Sequence, residues 1–474
     1  MLVLALESST TSAKAMLYST IDGVIDLVTQ EYLPQNSDGR TQDAEGVFLQ
    51  TMEVGRQVSA GHKIDCIVLS GVWHSVLLCD SRMKPQTRVL SWADTSAADL
   101  CNRLRQNKEK VHNFYQTTGC MVNAIYPAFK LQYLREQGYR LEDYYIFGQG
   151  SYNTYRLTKQ RIVTDCMASG SGLLNIHKKD YDEDILKEIG IVKEQLCKLV
   201  SYKDMVALTE EGAELLGLEA GIPVMPPCAD GALNQVGVGA LVEGIMTFSV
   251  GTSAAIRLTT SKPVLPKEPS TWCYLSPTLW LSGAATSGAC NCIDWFRDHF
   301  YPASYAEIEK NSYEVTETPV FLPFLFGERC PGWKDDQRGM FVGIQPSHTK
   351  ADFYQAVQEG ILFNVYQCYQ VLAEQNGKPD RVILSGGIIN SEFWTQMCAD
   401  IFGIEMEIPT IDQSSLMGAI VLACEGIGAI TDLKSYPFEK GRIVKPNPER
   451  SLVYEKRFEQ YLYWYNQLNP RTGL

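Results

Sequence analysis

The chain has 474 residues, of which 45% are hydrophobic and 20% are charged, and its net charge at pH 7 is −13. An acidic protein lacks the basic patches that nucleic-acid phosphates require, so we expect no nucleic-acid partner. No apolar run approaches the roughly 18 residues that a membrane helix needs, and residues 1–7 carry no basic leader. We therefore expect a cytoplasmic protein that does not span a membrane.

The length exceeds what one hydrophobic core usually supports, which predicts two domains. No linker of low complexity occurs, so we place the boundary at a compact hinge near Val242-Glu243-Gly244, giving domains 1–243 and 244–474. The 14 cysteines are scattered singly and form no Cys-x-x-Cys pair, which predicts buried thiols rather than disulfides or a zinc site.

The first residues predict a β-hairpin with a turn of small hydroxyl side chains. Residues 2–6 and 14–18 are β-like runs, and the segment between them is rich in serine and threonine. Small residues let a phosphate approach the backbone, hydroxyls donate hydrogen bonds, and Glu7 at the strand end can hold metal-bound water. A plain serine-rich turn is the alternative interpretation.

Two further strand ends carry aromatic and polar side chains. The predicted strand 64–70 leads to Trp73-His74, and the run 89–91 leads to Trp92 and Asp94. Such pairs suit a polyol, because rings pack on C–H faces while His and Asp bind hydroxyl groups. A core tryptophan and a structural histidine are the alternatives.

One carboxylate, Asp230, follows an apolar run in the middle of the chain. Residues 222–225 predict a short buried strand that Pro226-Pro227 ends, and Gly231 permits a tight turn before the helical segment 231–241. A carboxylate in that position can face a cleft and act as a catalytic base. The alternative is an N-cap at the start of the helix.

The hairpin design returns in the second half. Residues 245–250 and 254–258 flank Gly251-Thr252-Ser253, which predicts an internally duplicated chain whose two hairpins hold a polyphosphate across a cleft. Further on, the predicted strand 382–385 enters Gly386-Gly387 and a helix capped near Ser391. This order of strand, glycine turn and helix is typical of nucleotide sites.

The order and spacing of these motifs resemble the FGGY family of carbohydrate kinases, in the actin and hexokinase ATPase superfamily, over roughly residues 2–430. The matching residues are Thr10-Thr11-Ser12 with Lys14, Trp73-His74, Trp92-Ala93-Asp94, Pro127 with Lys130, Asp230-Gly231, Gly251-Thr252-Ser253, Pro323 with Gly327-Glu328-Arg329, Arg338-Gly339, Gly386-Gly387 and Gly418-Ala419. The resemblance implies an α/β protein with two ribonuclease-H-like domains around a central cleft. It also implies that the first domain binds mainly sugar and the second mainly ATP.

The resemblance also implies roles for individual residues. Asp230 is expected to be the catalytic base, and Mg²⁺ is expected to accompany ATP, held by Glu7 and Asp230 through water. The expected sugar contacts are Trp73, His74, Trp92, Asp94, Lys130, Gly231 and Asn234. The expected ATP contacts are Thr10, Thr11, Ser12, Lys14, Gly251, Thr252, Ser253, Gly288, Gly386, Gly387, Asn390 and Ser391. A sugar or sugar acid and ATP are the expected partners, and a homodimer is an open expectation.

The chain departs from the expected pattern in three segments, one of which is Ser287-Gly288-Ala289-Cys290, where the family often has paired glycines near adenine. The family usually has Asp-x-Gly-Thr-Thr at the first hairpin, where this chain has Glu7 and Ser9, so altered activity is one prediction. Residues 123–126 stand where gluconate kinases tend to have a His-Pro pair.

Within the family, several segments resemble gluconate kinases, which favours D-gluconate as substrate. These segments are His74-Ser75, Trp92-Ala93-Asp94, Asp230-Gly231 with Asn234, Gly251-Thr252-Ser253 with Ala255-Ile256-Arg257, and Trp272-Cys273-Tyr274. A carboxylate needs a cation or several donors, and Lys130, Arg156 and Arg257 are three candidates. A ketose or polyol kinase resembling xylulokinase is the alternative substrate class. A non-catalytic, ATP-dependent sugar sensor is the alternative from another class.

Overall fold

A computed structural model describes residues 1–310, 317–410 and 413–468 of the chain. The last six residues of the predicted second domain lie outside the described residues. Within the described ranges, no helix has both the length and the apolar character that crossing a bilayer requires.

The strands of the described ranges are, in chain order, β1 (Leu2–Ser8), β2 (Ser12–Ser19), β3 (Gly23–Glu31), β4 (Thr41–Gln42), β5 (Cys66–Gly71), β6 (Leu77–Cys79), β7 (Val89–Leu90), β8 (Tyr145–Phe147), β9 (Ile162–Thr164), β10 (Leu174–Asn175), β11 (Asp180–Tyr181), β12 (Lys198–Val200), β13 (Val206–Ala207), β14 (Pro223–Ala229), β15 (Ile245–Val250), β16 (Ala254–Thr260), β17 (Trp272–Leu275), β18 (Trp280–Thr286), β19 (Val320–Leu322), β20 (Met340–Val342), β21 (Arg381–Gly386), β22 (Met406–Ile408) and β23 (Arg442–Val444).

The α-helices of the same ranges are α1 (Ala44–Ser59), α2 (Ala98–Leu104), α3 (Lys108–Thr118), α4 (Pro127–Glu136), α5 (Gln149–Thr158), α6 (Asp165–Ser169), α7 (Glu183–Ile189), α8 (Glu210–Leu216), α9 (Asp230–Gly237), α10 (Cys290–Phe300), α11 (Tyr305–Glu309), α12 (Lys350–Asn376), α13 (Glu392–Phe402), α14 (Ser414–Gly426) and α15 (Pro448–Leu468).

Two large sheets share one topology. The first sheet has six strands in the order β13-β14-β5-β1-β2-β3, and the second has seven in the order β17-β18-β16-β15-β21-β22-β23. In each sheet an antiparallel hairpin precedes two parallel neighbours, β5 and β14 in the first and β21 and β22 in the second. This order confirms the predicted internal duplication and the ribonuclease-H-like architecture.

The first sheet is covered on both faces, because successive side chains of a strand point in opposite directions. Leu4 and Leu6 of β1 pack in the cluster that includes residues of α1, whereas Val3 and Ala5 pack in the cluster formed with α9 and α14. Helix α14 lies in the chain between β22 and β23 of the second sheet, yet it packs on the first sheet.

Helices α9 and α14 approach closely because glycines lie at their crossing. A Cβ atom on Gly237 would lie 2.0 Å from the Ser414 carbonyl oxygen, and one on Gly418 would lie 2.0 Å from the Leu233 oxygen. A side chain at either position would separate the helices, so both glycines are required by packing.

Strand β14 continues through Pro226-Pro227, so the prediction that these prolines end the strand is wrong. The register of β14 against β5 shifts between Met225 and Cys228. Proline lacks an N–H donor and is tolerated where a bulge interrupts the ladder. The bulge lets the strand extend to Ala229, directly before Asp230.

The 14 cysteines are free thiols, and all except the partly exposed Cys290 are buried. This confirms the prediction of buried thiols. In the part of the chain that the structure describes, no group of three or more His, Cys, Asp or Glu side chains is arranged to hold a metal ion by itself.

Candidate active site

The parallel strands of the first sheet bring three predicted site residues to one edge. Strands β1, β5 and β14 run in the same direction, and Glu7 is paired with Ser70 across β1 and β5. His74 follows β5 and Asp230 follows β14, so both leave the sheet at the edge where Glu7 lies. The carboxyl ends of parallel strands commonly form ligand sites.

Asp230 is the first residue of α9 and is only partly exposed. The helix is capped by Ala229 without a side-chain bond, and the Asp230 carboxylate instead accepts a hydrogen bond of 2.6 Å from the Gly231 N–H. The N-cap alternative is therefore not observed. The carboxylate is positioned by its own backbone, and α9 ends at Gly237 rather than Leu241.

The environment of Asp230 raises the pKa of its carboxyl group to about 6, chiefly through burial and secondly through the negative charge of Glu7. The Gly231 N–H, Arg257 and Lys14 oppose this rise. A carboxylate with a raised pKa accepts a proton more readily near neutral pH, which suits a general base.

Glu7 is buried and has several partners. Its carboxylate forms an ion pair of 2.9 Å with Lys14 and accepts a hydrogen bond of 3.0 Å from the Ser70 hydroxyl. The Ser415 hydroxyl at the start of α14 donates another hydrogen bond to it. Glu7 thus connects the first sheet with a helix from the second half of the chain.

The turn of the first hairpin is closed by its own serines. The Ser9 hydroxyl donates to the Ser12 carbonyl at 2.8 Å and accepts from the Ser12 N–H at 3.0 Å. The Thr10 hydroxyl accepts from the Trp92 indole N–H at 2.9 Å, and Thr11 is exposed. Ser9, which departs from the family glycine, therefore stabilises the turn.

Five aromatic rings from both halves of the chain form one wall. The His74 and Tyr126 ring centroids are 5.1 Å apart, as are those of Trp73 and Tyr274. Trp272 stacks on Tyr274 at 4.3 Å, and the hydroxyls of Tyr126 and Tyr274 share a hydrogen bond of 2.7 Å. Aromatic rings suit the C–H face of a sugar, and His74 is the partly exposed member of this wall while the other four rings are buried.

His74 adopts a left-handed backbone conformation with φ 63°, which is uncommon for a residue other than glycine. Its Nδ1 is 2.5 Å from the Gly170 carbonyl oxygen and must donate to it. Burial lowers the pKa of His74 to about 3, so the ring is neutral and Nε2 is an acceptor. The ring can therefore accept a hydrogen bond from a sugar hydroxyl.

Lys130 is fully buried, and its ammonium group donates to three carbonyl oxygens. These belong to Ala124 at 2.7 Å and to Asp94 and Ile125 at 3.1 Å each. Burial lowers the pKa of Lys130 to about 7. The structure favours a supporting role for Lys130, which joins the loop at Asp94 to that at 124–125, over the direct sugar contact expected from the sequence.

Asp94 and Asn234 also have local partners. One Asp94 carboxylate oxygen accepts from the Ser96 N–H at 3.2 Å and from the Ser96 hydroxyl. Asn234 accepts a hydrogen bond of 2.7 Å from the Ser414 hydroxyl across the α9 and α14 contact. Both side chains remain partly exposed, and their sugar contacts stay predictions.

The second sheet brings the predicted nucleotide residues together in the same way. Val250 pairs with Gly386 in parallel, so the turn at 251–253 and Gly387 leave the sheet side by side. Gly386 has φ 90°, and a Cβ atom there would lie 2.4 Å from the Val250 oxygen. The backbones of Val250 and Gly386 thus lie close together at the position where the sequence predicts ATP.

The remaining predicted ATP residues have packing roles in this structure. Gly288 lies against the Pro323 carbonyl, where a Cβ atom would be 2.3 Å from the oxygen. Ser391 is the N-cap of α13 and accepts from the Trp394 N–H at 3.1 Å, as the sequence predicts. Asn390 ends the short 3₁₀ turn before that helix. Their contacts with ATP stay predictions.

Sequence reasoning assigned no site role to several side chains that lie here, although Tyr274 and Arg329 belong to motifs that resemble the family. Tyr126 and Tyr274 meet across 148 positions of sequence, and Ser415 reaches Glu7 across 408. Arg329 adds positive charge close to His74, whose pKa it helps to lower. No local pattern identifies these partners, because each depends on packing between the two halves.

Comparisons with known proteins agree with this architecture. Residues 2–237 match the N-terminal domain of the FGGY family of carbohydrate kinases, and residues 246–426 match its C-terminal domain. A gluconokinase of Bacillus subtilis (strain 168) is 29% identical over 90% of this chain and 88% of its own length. A xylulose kinase of Lactococcus lactis is 26% identical over 96% of this chain and 95% of its own length.

Solved structures give the same result. A gluconate kinase from Lactobacillus acidophilus superposes with a TM-score of 0.93 and 27% identity, covering 99% of each chain. A ligand-bound xylulose kinase from the same organism gives the same values. Both family models and the shared two-sheet topology lead to one assignment: the chain belongs to the FGGY family of carbohydrate kinases and is an ATP-dependent sugar kinase.

Proposed function

We propose that the protein transfers the γ-phosphoryl group of ATP to a hydroxyl group of D-gluconate. The observation that carries the proposal is Asp230, a partly buried carboxylate of raised pKa at the strand edge, beside an aromatic wall and the partly buried Arg257. The choice of gluconate is supported by the similarity to the Bacillus gluconokinase over most of both chains.

In the proposed reaction, the Asp230 carboxylate accepts the proton of the attacking hydroxyl while the γ-phosphoryl group transfers. His74 Nε2 accepts a hydrogen bond from another hydroxyl and orients the sugar. Phosphoryl transfer needs little covalent help from a protein, so the chain contributes mainly alignment and charge compensation. A positioned base adds about 10²–10⁴-fold to such a rate.

Magnesium enters the proposal as the counterion of ATP, bound through one or two carboxylates, water and substrate phosphates. Glu7 and Asp230 fit this pattern, since they are two carboxylates at one strand edge and the charge of Glu7 acts on Asp230. The ion would neutralise charge on the β- and γ-phosphates. A cytoplasmic location also belongs to the proposal, because the enzyme requires ATP.

A screen of ATP consumption tests the substrate. Purified protein would be offered gluconate, xylulose, ribulose, glycerol and erythritol with MgATP, and we expect the highest kcat/KM for gluconate. Preference for xylulose would favour the second candidate, which the Lactococcus and Lactobacillus xylulose kinases support. Inactivity on all five would favour a non-catalytic sugar sensor.

A further inference from the structure

The partly buried guanidinium group of Arg257 lies near Asp230, and the two charges act on each other without forming an ion pair. Arg257 of β16 donates from Nη1 to the Ser249 hydroxyl at 3.3 Å, while its buried Nε has no acceptor. Among the described residues, Arg257 forms no ion pair within 4.0 Å. A polar group shielded from water is costly unless it has a partner, so the unpartnered Nε of this partly buried guanidinium is suited to an anion from outside the protein.

The position of Arg257 is on the sugar side of Asp230. A Cβ atom on Gly231 would lie 2.6 Å from the Trp73 ring and 3.1 Å from Arg257 Nε, so ring and guanidinium converge on the residue after Asp230. Arg257 is the fourth residue of β16, which places it roughly 13 Å along the strand from the last residue of the turn at 251–253. That turn is where the phosphates of ATP are expected.

A second guanidinium group, that of Arg329, adds to the positive potential around His74 and Arg257. Arg329 also has a buried Nε without an acceptor among the described residues. Its charge helps to lower the pKa of both His74 and Arg257, which means that it lies close to them. Arginine stays protonated in proteins, so the two groups repel each other until an anion lies between them.

The other two candidate cations are already engaged. Lys130 donates to three backbone carbonyls, as described above. Arg156 forms ion pairs with Glu45 and, at 3.2 Å, with Glu211, and its guanidinium lies 4.7 Å over the Phe48 ring. Of the three candidates from the sequence, Arg257 alone has an unpartnered donor beside Asp230.

We propose that Arg257 binds the carboxylate of the sugar acid through its Nε and Nη2 edge and thereby selects an acid over a neutral sugar. This inference rests on the proposed function and deepens it. Two parallel hydrogen bonds from a guanidinium edge match the geometry of a carboxylate, which a ketose or polyol cannot supply. Removing the guanidinium should therefore act on sugar acids far more than on neutral sugars.

The test compares D-gluconate with D-glucitol, in which a CH₂OH group replaces the carboxylate. We expect Arg257→Met to lower the ratio of kcat/KM for gluconate over glucitol by about 10²-fold. Arg257→Lys should recover part of the ratio, because lysine restores charge without the bidentate geometry. Arg156→Met is the matched control and should leave the ratio unchanged. Calorimetric binding of gluconate without ATP should weaken in the same order, and circular dichroism should verify folding.

Each other outcome has a defined meaning. Equal losses on gluconate and glucitol would assign Arg257 to the transferred phosphoryl group and overturn the inference. An unchanged ratio in a folded Arg257→Met protein would overturn it as well, while the proposed function stands. Wild-type protein that neither phosphorylates nor binds gluconate would overturn the proposed substrate itself, and with it this role for Arg257.

Discussion

The Ser415 hydroxyl, at the start of a helix from the second half of the chain, donates a hydrogen bond to the buried carboxylate of Glu7 in the first strand. The same carboxylate pairs with Lys14 and raises the pKa of Asp230. One side chain therefore contributes both to the contact between the halves and to the basicity of the proposed base.

Asp230→Asn should lower kcat by about 10²-fold or more, because the amide cannot accept the hydroxyl proton. The folded protein should also be at least as stable at pH 7. Since burial raises the pKa of Asp230, the charged form destabilises the fold as pH rises through about 6, and the neutral amide removes that cost. Turnover and thermal melting measure the two effects.

Asp99→Asn is the control for that substitution, because Asp99 is an exposed aspartate in the first turn of α2. It should change neither turnover nor melting temperature appreciably. Turnover of Asp230→Asn close to that of the unaltered protein would rule out Asp230 as the base.

The pH dependence of kcat/KM for the sugar, which reports groups of the protein before the sugar binds, should show an acidic limb near pH 6, where protonation of Asp230 removes the base. Glu7→Gln should move this limb to lower pH, because loss of a nearby negative charge lowers the pKa of Asp230. A pH series from 4.5 to 9 on both proteins measures the shift. A limb that moves upward, or does not move, would contradict the electrostatic link.

His74→Ala should raise the KM for the sugar more than it lowers kcat, since the proposed hydrogen bond orients the sugar and moves no proton. His74→Asn should be better tolerated in folding, because asparagine adopts the left-handed backbone region more readily than alanine. Steady-state kinetics with varied sugar at saturating ATP separates the two constants. A kcat loss as large as that of Asp230→Asn would assign His74 to the chemical step instead.

Gly418→Ala should destabilise the protein by about 1–3 kcal/mol, because its methyl group would overlap the Leu233 carbonyl. Gly251→Ala is the matched control for stability, since a Cβ atom there would meet nothing closer than 3.9 Å. Denaturant unfolding of both variants measures the difference. Equal stability of the two would show that the helix crossing adjusts without cost.

Much of the fold could be predicted from the sequence, because the repeated hairpin motif and the capping residues can be identified from residue types alone. The two hairpins at Glu7 to Lys14 and at Val250 to Ala254 have the same design in the sequence and the same position in their sheets. Ser391 was recognisable as a helix cap from residue type alone. The prediction failed at Pro226-Pro227, because only the register against β5 reveals the bulge that tolerates two prolines.

The site was only partly predictable for a related reason. Asp230, His74 and Glu7 follow strands, and the ends of parallel strands meet at one edge. The partners of these residues come from distant parts of the chain. The sequence does not show that Lys130 donates its hydrogen bonds to backbone carbonyl oxygens, nor that Arg257 Nε lacks an acceptor. Residue type indicates which hydrogen bonds a side chain can make, while packing determines which of its donors and acceptors are still available to a ligand.

The position of α14 has a consequence for how the protein can be divided. Val3 and Ala5 of β1 and Val68 of β5 face this helix, which is joined covalently to the other sheet. A fragment that ends at residue 243 would keep α9 but lose α14, so the apolar side chains that α14 covers would be exposed to water and would favour aggregation. We expect neither half to be obtainable as a stable, separate protein, whereas co-expressed halves should reassemble through the glycine crossing of α9 and α14.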